Sequence, residues 1–201
     1  MSSKNIHTIW MFVLIINIIS CSPKNISSKY YYKHEKVLDS IEESYKKLNR
    51  QTPFNIAFTS KNFNVFSIGI TTDTITYIYE FDVNEKRLTD TLVKYKLNAP
   101  KVIALVQQMR LIRCTWINTF DYYVDEKKNT LVFMSIKPVA YKPWFSYQKY
   151  YILSYFNAPQ YFDSEGRLLD KRRQRKLRKI NGEIFKRIND KVCYTISSTY
   201  R

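Results

Sequence analysis

Apolar residues along the chain recur with two different periods, and these periods predict its helices and strands. Over about residues 35–49 they recur every three to four positions with charged residues between them, which is typical of a helix with one buried face. Pro53 follows soon after and predicts the end of this helix, because the residue before a proline disfavours helical backbone. A second helix is predicted from Asn98, which can cap it, since Pro100 is tolerated in a first turn. A third helix is predicted over about residues 171–190.

From Phe54 the apolar period changes to two, which is typical of strands. Alternation over residues 66–70 and again over 75–81, with a polar turn between them, predicts a hairpin. The same pattern predicts further strands at about 88–97, 115–124, 130–137, 147–156 and 192–196. Strands in groups with helices between and after them predict an α+β fold, with helices packed on one face of an antiparallel sheet in a single domain.

One turn motif recurs, an aromatic residue and Asp followed by polar residues, Arg and Leu. It covers residues 81–88 and 162–168, and residues 123–131 form a looser version. An Asp at the start of a turn bonds to its own backbone, so the motif predicts hairpin turns. A Ca²⁺ site is the alternative, but it needs about six oxygens at fixed positions, which none of these segments supplies.

The start of the chain has the three zones of an export signal. Lys4 gives a positive start, an apolar run follows from Ile9 to Ile19, and the small residue Ser20 ends it. The run is roughly half the ~20 residues that a membrane-spanning helix needs. A buried amphipathic helix is the alternative, but the first part of the run is apolar on every side.

The end of this signal resembles the lipobox of bacterial lipoprotein precursors. The four residues Ile18-Ile19-Ser20-Cys21 are an aliphatic residue, a tolerant position, a small residue and a cysteine. The resemblance implies transfer of a diacylglyceryl group to Cys21, cleavage after Ser20, and acylation of the new amino terminus by a fatty acid such as palmitate. Two or more acyl chains hold a protein stably on a membrane.

The residues after the cysteine bear on location. Ser22, rather than Asp, is the next residue, which is similar to lipoproteins that are sorted to the outer membrane. The segment that follows has no acidic stretch of the kind that directs some lipoproteins to the cell surface. The resemblance therefore implies an outer-membrane protein that faces the periplasm.

The chain divides into three predicted segments. Residues 1–20 are the signal peptide, residues 21–34 are the lipidated cysteine and a flexible polar tether, and residues 35–201 are a single domain. The last segment is long enough to bury a core of its own. Aromatic residues make up 16% of the chain and there are only 3 Gly, so the composition favours an ordered, strand-rich domain.

Two cysteines, Cys114 and Cys193, remain after the anchor. An exported chain meets oxidising conditions, so a disulfide between them is one possibility. Two buried thiols that do not pair are the other.

The residues for catalysis and metal binding are few. His34 is the one histidine after the signal, which argues against His-pair zinc sites and most Ser–His or Cys–His nucleophiles. Two groups of carboxylates lie close in sequence: Glu80 with Asp82, and Asp121 with Asp125 and Glu126. Such a pair hydrolyses a glycoside only if the two carboxylates face each other across a cleft, and these are expected to face water. We therefore predict no catalytic residue, no metal and no cofactor.

The chain is strongly basic, with 33 Lys+Arg against 17 Asp+Glu and a formal net charge of +16. A dense group of cations accounts for part of this charge: Arg167, Lys171, Arg172, Arg173, Arg175, Lys176, Arg178 and Lys179. The group is either the solvated face of a core-packing helix or a binding patch for anions. For an exported protein the expected anions are lipid headgroups, lipopolysaccharide or a cell-wall polymer rather than nucleic acid.

Together these features predict a lipid-anchored envelope protein with a basic surface and a binding or structural role. The alternative is a lipid-anchored hydrolase that acts on an envelope polymer. A cleft with two facing carboxylates would favour the hydrolase, and a filled core without such a cleft would favour the binding protein.

Overall fold

A computed structural model of the chain describes residues 23–124, 127–136, 150–162, 164, 166–167 and 185–197. Within these ranges there are three α-helices: α1 (Pro23–Asn49), α2 (Lys86–Lys94) and α3 (Ala99–Ile112). The strands are β1 (Phe54–Phe58), β2 (Val65–Thr71), β3 (Thr76–Asp82), β4 (Cys114–Val124), β5 (Lys127–Ile136), β6 (Tyr150–Tyr155), β7 (Lys186–Arg187) and β8 (Val192–Ser197). No helix in these ranges is both long enough and apolar enough to span a bilayer.

These eight strands form one antiparallel sheet in the order β3-β2-β1-β4-β5-β6-β8-β7. The predicted hairpin is the pair β2–β3, and a second hairpin joins β4 to β5. Strand β1 lies between β2 and β4, where Ile56 faces Ile68 on one side and Ile117 on the other. Helices together with an antiparallel sheet make the fold α+β, as predicted.

Side chains from all three helices share one buried cluster with strand residues. The apolar stripe of α1 contributes Leu38, Ile41, Tyr45 and Leu48. A smaller second cluster is made by Tyr122, Leu131, Phe156, Phe185 and Cys193. Because this stripe is buried in the main cluster, most of the polar residues of α1 lie on the solvent-facing side of the helix.

The ends of α3 follow from local chemistry. The side chain of Asn98 accepts a hydrogen bond from the backbone N–H of Lys101 at 3.2 Å, and Pro100 lies in the first turn. Arg113 ends the helix in the left-handed region at φ 57°. The predicted beginning of this helix is therefore confirmed.

The flexible tether predicted over residues 21–34 is wrong from Pro23 onward, because the chain is helical there. Ser27 and Tyr31 are buried in this part of α1. The hydroxyl of Tyr30 donates a hydrogen bond to the carbonyl of Ile112 at 2.6 Å, which ties the first turns of α1 to the end of α3. The folded domain thus begins within two residues of Cys21.

The strand predicted over residues 88–97 is also wrong, since most of it is helix α2. Leu88 and Leu92 are four positions apart and both buried, whereas Val93, which the strand pattern placed inside, is 62% exposed. The turn motif at residues 81–88 therefore leads from β3 into a helix rather than into another strand.

The third predicted helix fails over its last six residues. Residues 186–187 form β7, and residues 188–191 form bends. The side chain of Asn189 accepts hydrogen bonds from the backbone N–H groups of Lys191 at 2.9 Å and Val192 at 2.7 Å, which turns the chain into β8. Residues 171–184 of this prediction lie outside the described part of the chain. The closing strand is confirmed as β8.

Candidate functional site

A groove of about 700 Å³ lies between helix α1, over residues 31–46, and the segments that flank β6 and β8. Helix α1 lines one side of it with Tyr31, Glu35, Asp39, Glu42, Glu43 and Lys46. The other side is formed by residues 155–157, Pro159 and residues 189–192. We call this feature the acidic groove.

The helical repeat brings the acids of α1 together. Residues three or four positions apart lie on the same face of a helix, so Tyr31, Glu35, Asp39 and Glu42 form one row. Asp190 adds a carboxylate from the opposite wall. The groove thus has five carboxylates against Lys46 and Lys191, in a chain that has only 17 acidic residues and a net charge of +16.

Hydrogen bonds fix the two walls of the acidic groove relative to each other. The hydroxyl of Tyr31 donates to Oε1 of Glu35 at 3.1 Å and accepts from Nδ2 of Asn189 at 3.0 Å. The hydroxyl of Tyr32 donates to the carbonyl of Ile188 at 3.3 Å. Because these bonds join residues more than 150 positions apart in sequence, the groove is preformed by the fold.

Tyr155, at the end of β6, lines the acidic groove with a side chain that is only 5% exposed. Its buried hydroxyl has no hydrogen-bond partner among the described residues. Burial raises the pKa of Tyr155, and the nearby Tyr31 and Asp39 raise it further, so the hydroxyl stays protonated. A buried polar group without a hydrogen-bond partner lowers the free energy of unfolding by about 1–3 kcal/mol, so this hydroxyl destabilises the fold.

The carboxylates of the groove differ in how they are compensated. Glu42 pairs with Lys46, and Glu43 pairs with Lys47 at 2.7 Å. For Glu35 and Asp39, by contrast, the described part of the chain supplies no ion-pair partner. Partial burial raises the pKa of Asp39, and the charges of Glu35 and Glu42 add to the effect.

This arrangement has the chemistry of a site for cations or hydrogen-bond donors. It offers two carboxylates that have no ion-pair partner among the described residues, on a preformed concave surface. In the described ranges, no group of three or more His, Cys, Asp or Glu side chains is placed to hold a metal ion. His34 lies against the ring of Tyr30, with 4.8 Å between centroids, and burial together with Lys33 lowers its pKa.

Most of the residues singled out from the sequence lie outside the described part of the chain. These are Cys21, Asp125, Glu126, Lys171, Arg172, Arg173, Arg175, Lys176, Arg178 and Lys179. Arg167 is described: it is exposed and forms an isolated bridge with Lys186, next to the edge strand β7.

The other predicted carboxylates do not form a site together. Glu80 and Asp82 are exposed on β3, at the opposite edge of the sheet from the acidic groove. Asp121 pairs with Lys128 at 2.9 Å and accepts a hydrogen bond from Oγ1 of Thr130 at 2.9 Å. These contacts explain Asp121 as part of the β4–β5 hairpin.

The disulfide considered between Cys114 and Cys193 is not formed, and both side chains are buried thiols. Cys114 is on β4 and Cys193 on β8, with β5 and β6 between them. Three strand spacings alone separate the two Cα atoms by roughly 14 Å, and the register places Cys193 level with Asn118 rather than with Cys114. A disulfide needs a Cα separation of less than ~7 Å. Burial also raises the pKa of the Cys114 thiol to about 12, which keeps it unreactive.

The acidic groove was not predicted from the sequence, because Tyr31 lies in a polar segment that is typical of a tether. The helical spacing of the acids at 35, 39, 42 and 43 was readable, and it would have shown a row of carboxylates on α1. The opposite wall, at residues 155–157 and 189–192, depends on how the sheet is assembled and has no local signal.

Comparison of the chain with known proteins finds no matching family model, no matching characterised protein and no matching solved structure. A function for this chain therefore has to rest on its own fold and on the geometry of the acidic groove.

Proposed function

We propose that this protein is a lipid-anchored lipoprotein of the bacterial envelope that acts by binding a ligand in the acidic groove. The observation that supports a ligand site is the pair of carboxylates of Glu35 and Asp39, which line a preformed groove and have no ion-pair partner among the described residues. The charge of Glu35 raises the pKa of Asp39, so the two carboxylates repel each other when both are ionised. A ligand that contacted both carboxylates would offset that repulsion.

The placement and pairing of the carboxylates favour binding over hydrolysis. Glu35 and Asp39 are one turn apart on α1, so both lie on the same wall of the groove. Asp190 lies on the opposite wall, but it is held in an ion pair with Arg187. Glycoside hydrolysis instead needs carboxylates on two sides of the scissile bond. Release of sugar from an envelope polymer that Asp39→Asn abolishes would contradict this proposal and favour the hydrolase.

The lipid anchor is supported by the sequence Ile18-Ile19-Ser20-Cys21 at the end of an apolar run. We place the anchor on the outer membrane, facing the periplasm, because Ser22 follows the cysteine. Labelling with palmitate of cells that express the chain tests the lipid anchor directly.

Wild type is expected to incorporate label and to partition with membranes, and Cys21→Ala is expected to do neither. Cys114→Ala is the matched control, since it removes a buried thiol that has no role in anchoring, and it should keep the label. Equal labelling of wild type and Cys21→Ala would overturn the anchor.

A second binding surface for anions is also part of the proposal. The net charge of +16 and the eight cations between Arg167 and Lys179 favour it. The start of this segment lies beside β7, where Lys186 and Arg187 are exposed as well. Envelope polyanions, such as lipid headgroups or lipopolysaccharide, are the partners that such a surface would attract.

We further propose that the three helices cover one face of the sheet. Register supports this, because Ile117, Met134 and Leu153 face one another across β4, β5 and β6 and belong to the cluster that holds the helix side chains. We expect nuclear Overhauser contacts from α1 to Met134 and Leu153, and none from α1 to Phe133. Contacts of α1 with Phe133 would count against it.

A further inference from the structure

Strand β3 forms one edge of the sheet, and among the described residues it pairs with β2 alone. An open edge can pair with another chain, so edge strands are usually protected by lysine, proline, a bulge or a covering element. The opposite edge, β7, is protected in this way, since it is two residues long and both are cations. Strand β3 has seven residues without a lysine, an arginine or a proline, and its register with β2 is unbroken.

Hydrogen bonds at the two ends of the β2–β3 hairpin show which backbone groups of β3 point outward. The N–H of Thr72 donates to the carbonyl of Ile75 at 2.9 Å. The N–H of Val83 donates to the carbonyl of Asn64, also at 2.9 Å. Because paired residues in an antiparallel ladder are hydrogen-bonded alternately, the odd-numbered residues of β3 bond to β2 and the even-numbered residues face outward. The outward residues are Thr76, Ile78, Glu80 and Asp82.

Glu85 already occupies the last of these positions. The N–H of Asp82 donates to Oε2 of Glu85 at 3.2 Å, and the carbonyl of Asp82 accepts from the N–H of Glu85 at 3.0 Å. The outward backbone groups of Thr76, Ile78 and Glu80 have no partner among the described residues. Their side chains are exposed as well, and that of Ile78 is 75% exposed. We call these three residues the β3 edge.

We propose that the β3 edge pairs with the β3 edge of a second copy of this chain, antiparallel and about a two-fold axis at Ile78. In this register Ile78 faces Ile78 of the second copy, and Thr76 faces Glu80. Each of the three pairs exchanges two hydrogen bonds, so every open N–H and C=O of the edge is satisfied. A register shifted by two residues pairs Glu80 with Thr74, which lies before the strand, or requires the occupied groups of Asp82.

The side chains along β3 are also self-complementary in this register. On one face of the sheet Ile78 contacts Ile78 of the second copy, which buries an apolar side chain that is exposed in the single chain. On the other face Tyr77 lies opposite Tyr79 of the second copy, and such cross-strand aromatic pairs stabilise a sheet. The hydroxyls of Tyr79 and Tyr95 are 2.6 Å apart, which holds Tyr79 in place.

Charge favours self-pairing at this edge. Two copies with a net charge of +16 repel each other wherever basic surfaces meet. Residues 73–82 contain three acids and no cation, and in the proposed register each acid faces an uncharged residue of the second copy. The two-fold contact uses the same edge of both copies, so it closes as a dimer. The acidic groove lies at the other edge of the sheet and stays open in this dimer.

Cysteine cross-linking of the full chain tests the register. The background is Cys21→Ala, in which the remaining thiols, Cys114 and Cys193, are buried. Ile78→Cys is expected to give a disulfide-linked dimer on mild oxidation, because the Cα atoms of a hydrogen-bonded pair are about 5.5 Å apart. The control is Lys33→Cys, an exposed position on α1, which should give no such dimer on a non-reducing gel.

Light scattering during size exclusion, in a neutral detergent and over a dilution series, measures the dimer without a cross-link. Ile78→Pro removes an outward N–H from each copy and no bond to β2, so it should raise the dissociation constant by at least about tenfold. Ile78→Val is the matched control, because it keeps the N–H and a β-branched side chain, and it should dimerise like wild type. If Ile78→Pro does not fold, Ile78→Lys replaces it, since two like charges then face each other at the two-fold axis.

Three results would overturn the inference. The first is a wild-type protein that is monomeric at every concentration. The second is a dimer that Ile78→Pro and Ile78→Lys leave intact, because its contact would then lie elsewhere. The third is a mixed disulfide of Ile78→Cys with a different protein in cell extracts, without a homodimer, which would show that the β3 edge receives another chain. Each of these results leaves the proposed use of the acidic groove unaffected.

Discussion

Asp39 is a carboxylate of the acidic groove whose ionised form lowers the stability of the fold. Partial burial raises its pKa, and the negative charges of Glu35 and Glu42 on the same helix raise it further. From the opposite wall it is faced by Asp190 and Lys191. A raised pKa means that the folded protein binds the proton more tightly than the unfolded chain. Ionisation of Asp39 therefore destabilises the fold, beginning as the pH rises through the ordinary aspartate pKa of 3.8 and reaching its full size above the raised pKa of the folded protein.

We predict that Asp39→Asn raises the melting temperature at about pH 7. The gain should vanish below the ordinary aspartate pKa of 3.8, where wild type is neutral at this position too. Thermal unfolding of both proteins between about pH 3 and pH 8 measures this. An equal gain at all pH values would show that charge is not the cause.

Glu43 provides the control of opposite sign. Its hydrogen bond with Lys47, and the charge of Lys47, lower its pKa, so its ionised form stabilises the fold above the unfolded pKa. Glu43→Gln should therefore lose a little stability at about pH 7, and this loss should disappear at low pH. A change of the same sign on replacing both carboxylates would indicate a general effect of net charge.

Helix α1 shows which parts of an element can be predicted from the sequence. Its second half has a clear apolar stripe and was predicted. Its first three turns are polar and rich in Ser and Tyr, which have modest helix propensity. They are helical because of contacts far away in sequence, such as that of Tyr30 with Ile112 and that of Tyr31 with Asn189. Tertiary contacts of this kind are not visible in a local pattern.

The pairing of the strands could also be predicted from the sequence only in part. Hairpins β2–β3 and β4–β5 were predictable because each pairs neighbouring segments of alternating residues. The insertion of β1 between β2 and β4 was not, since it depends on long-range pairing. The acidic groove combines both cases, because four of its five acids lie on one helix and its other wall comes from residues more than 100 positions later.

Substitution of Lys33 by proline tests whether this part of the chain is a helix or a flexible tether. Lys33 is exposed in the part of α1 where the sequence predicted flexible chain. Lys33→Pro should lower the free energy of unfolding by about 3 kcal/mol or more, because proline removes a helical hydrogen bond and clashes with the preceding turn. Lys33→Ala is the control and should change it little. Chemical denaturation gives both values, and an unchanged Lys33→Pro protein would mean that this segment is not helical.

At the scale of the whole molecule, the acidic groove contrasts with the composition of the chain. The chain has a net charge of +16, yet the acidic groove collects five of its 17 acids. Screening limits the field of any group of charges to a Debye length of ~8 Å at physiological salt. The net charge therefore says little about the field inside the groove, and the proposed anion-binding surface needs a test of its own.

We predict that the unlipidated Cys21→Ala protein binds anionic vesicles but not neutral ones, and that salt weakens the binding. Changing Arg172, Arg173, Arg175 and Lys176 together to Gln should weaken it by at least about tenfold, since each cation near such a surface contributes ~1 kcal/mol. The control is the same change at four exposed lysines elsewhere: Lys61, Lys86, Lys94 and Lys101. Vesicle sedimentation measures all three proteins. An equal loss in both variants would indicate net charge rather than a patch.

The early start of α1 determines which partners a protein anchored through Cys21 can meet. A flexible linker of about a dozen residues would let the domain range over roughly 20 Å. Helix α1 instead rises 1.5 Å per residue from Pro23, so Tyr31 and Asp39 lie about 12 and 24 Å along it. For a second molecule on the membrane of the proposed anchor, the effective concentration at the groove would be in the millimolar range when its reach matches the distance of the groove from that membrane, and the helix limits this distance. The effective concentration is close to zero when the second molecule is too short to reach the groove, so the helix selects partners by their length.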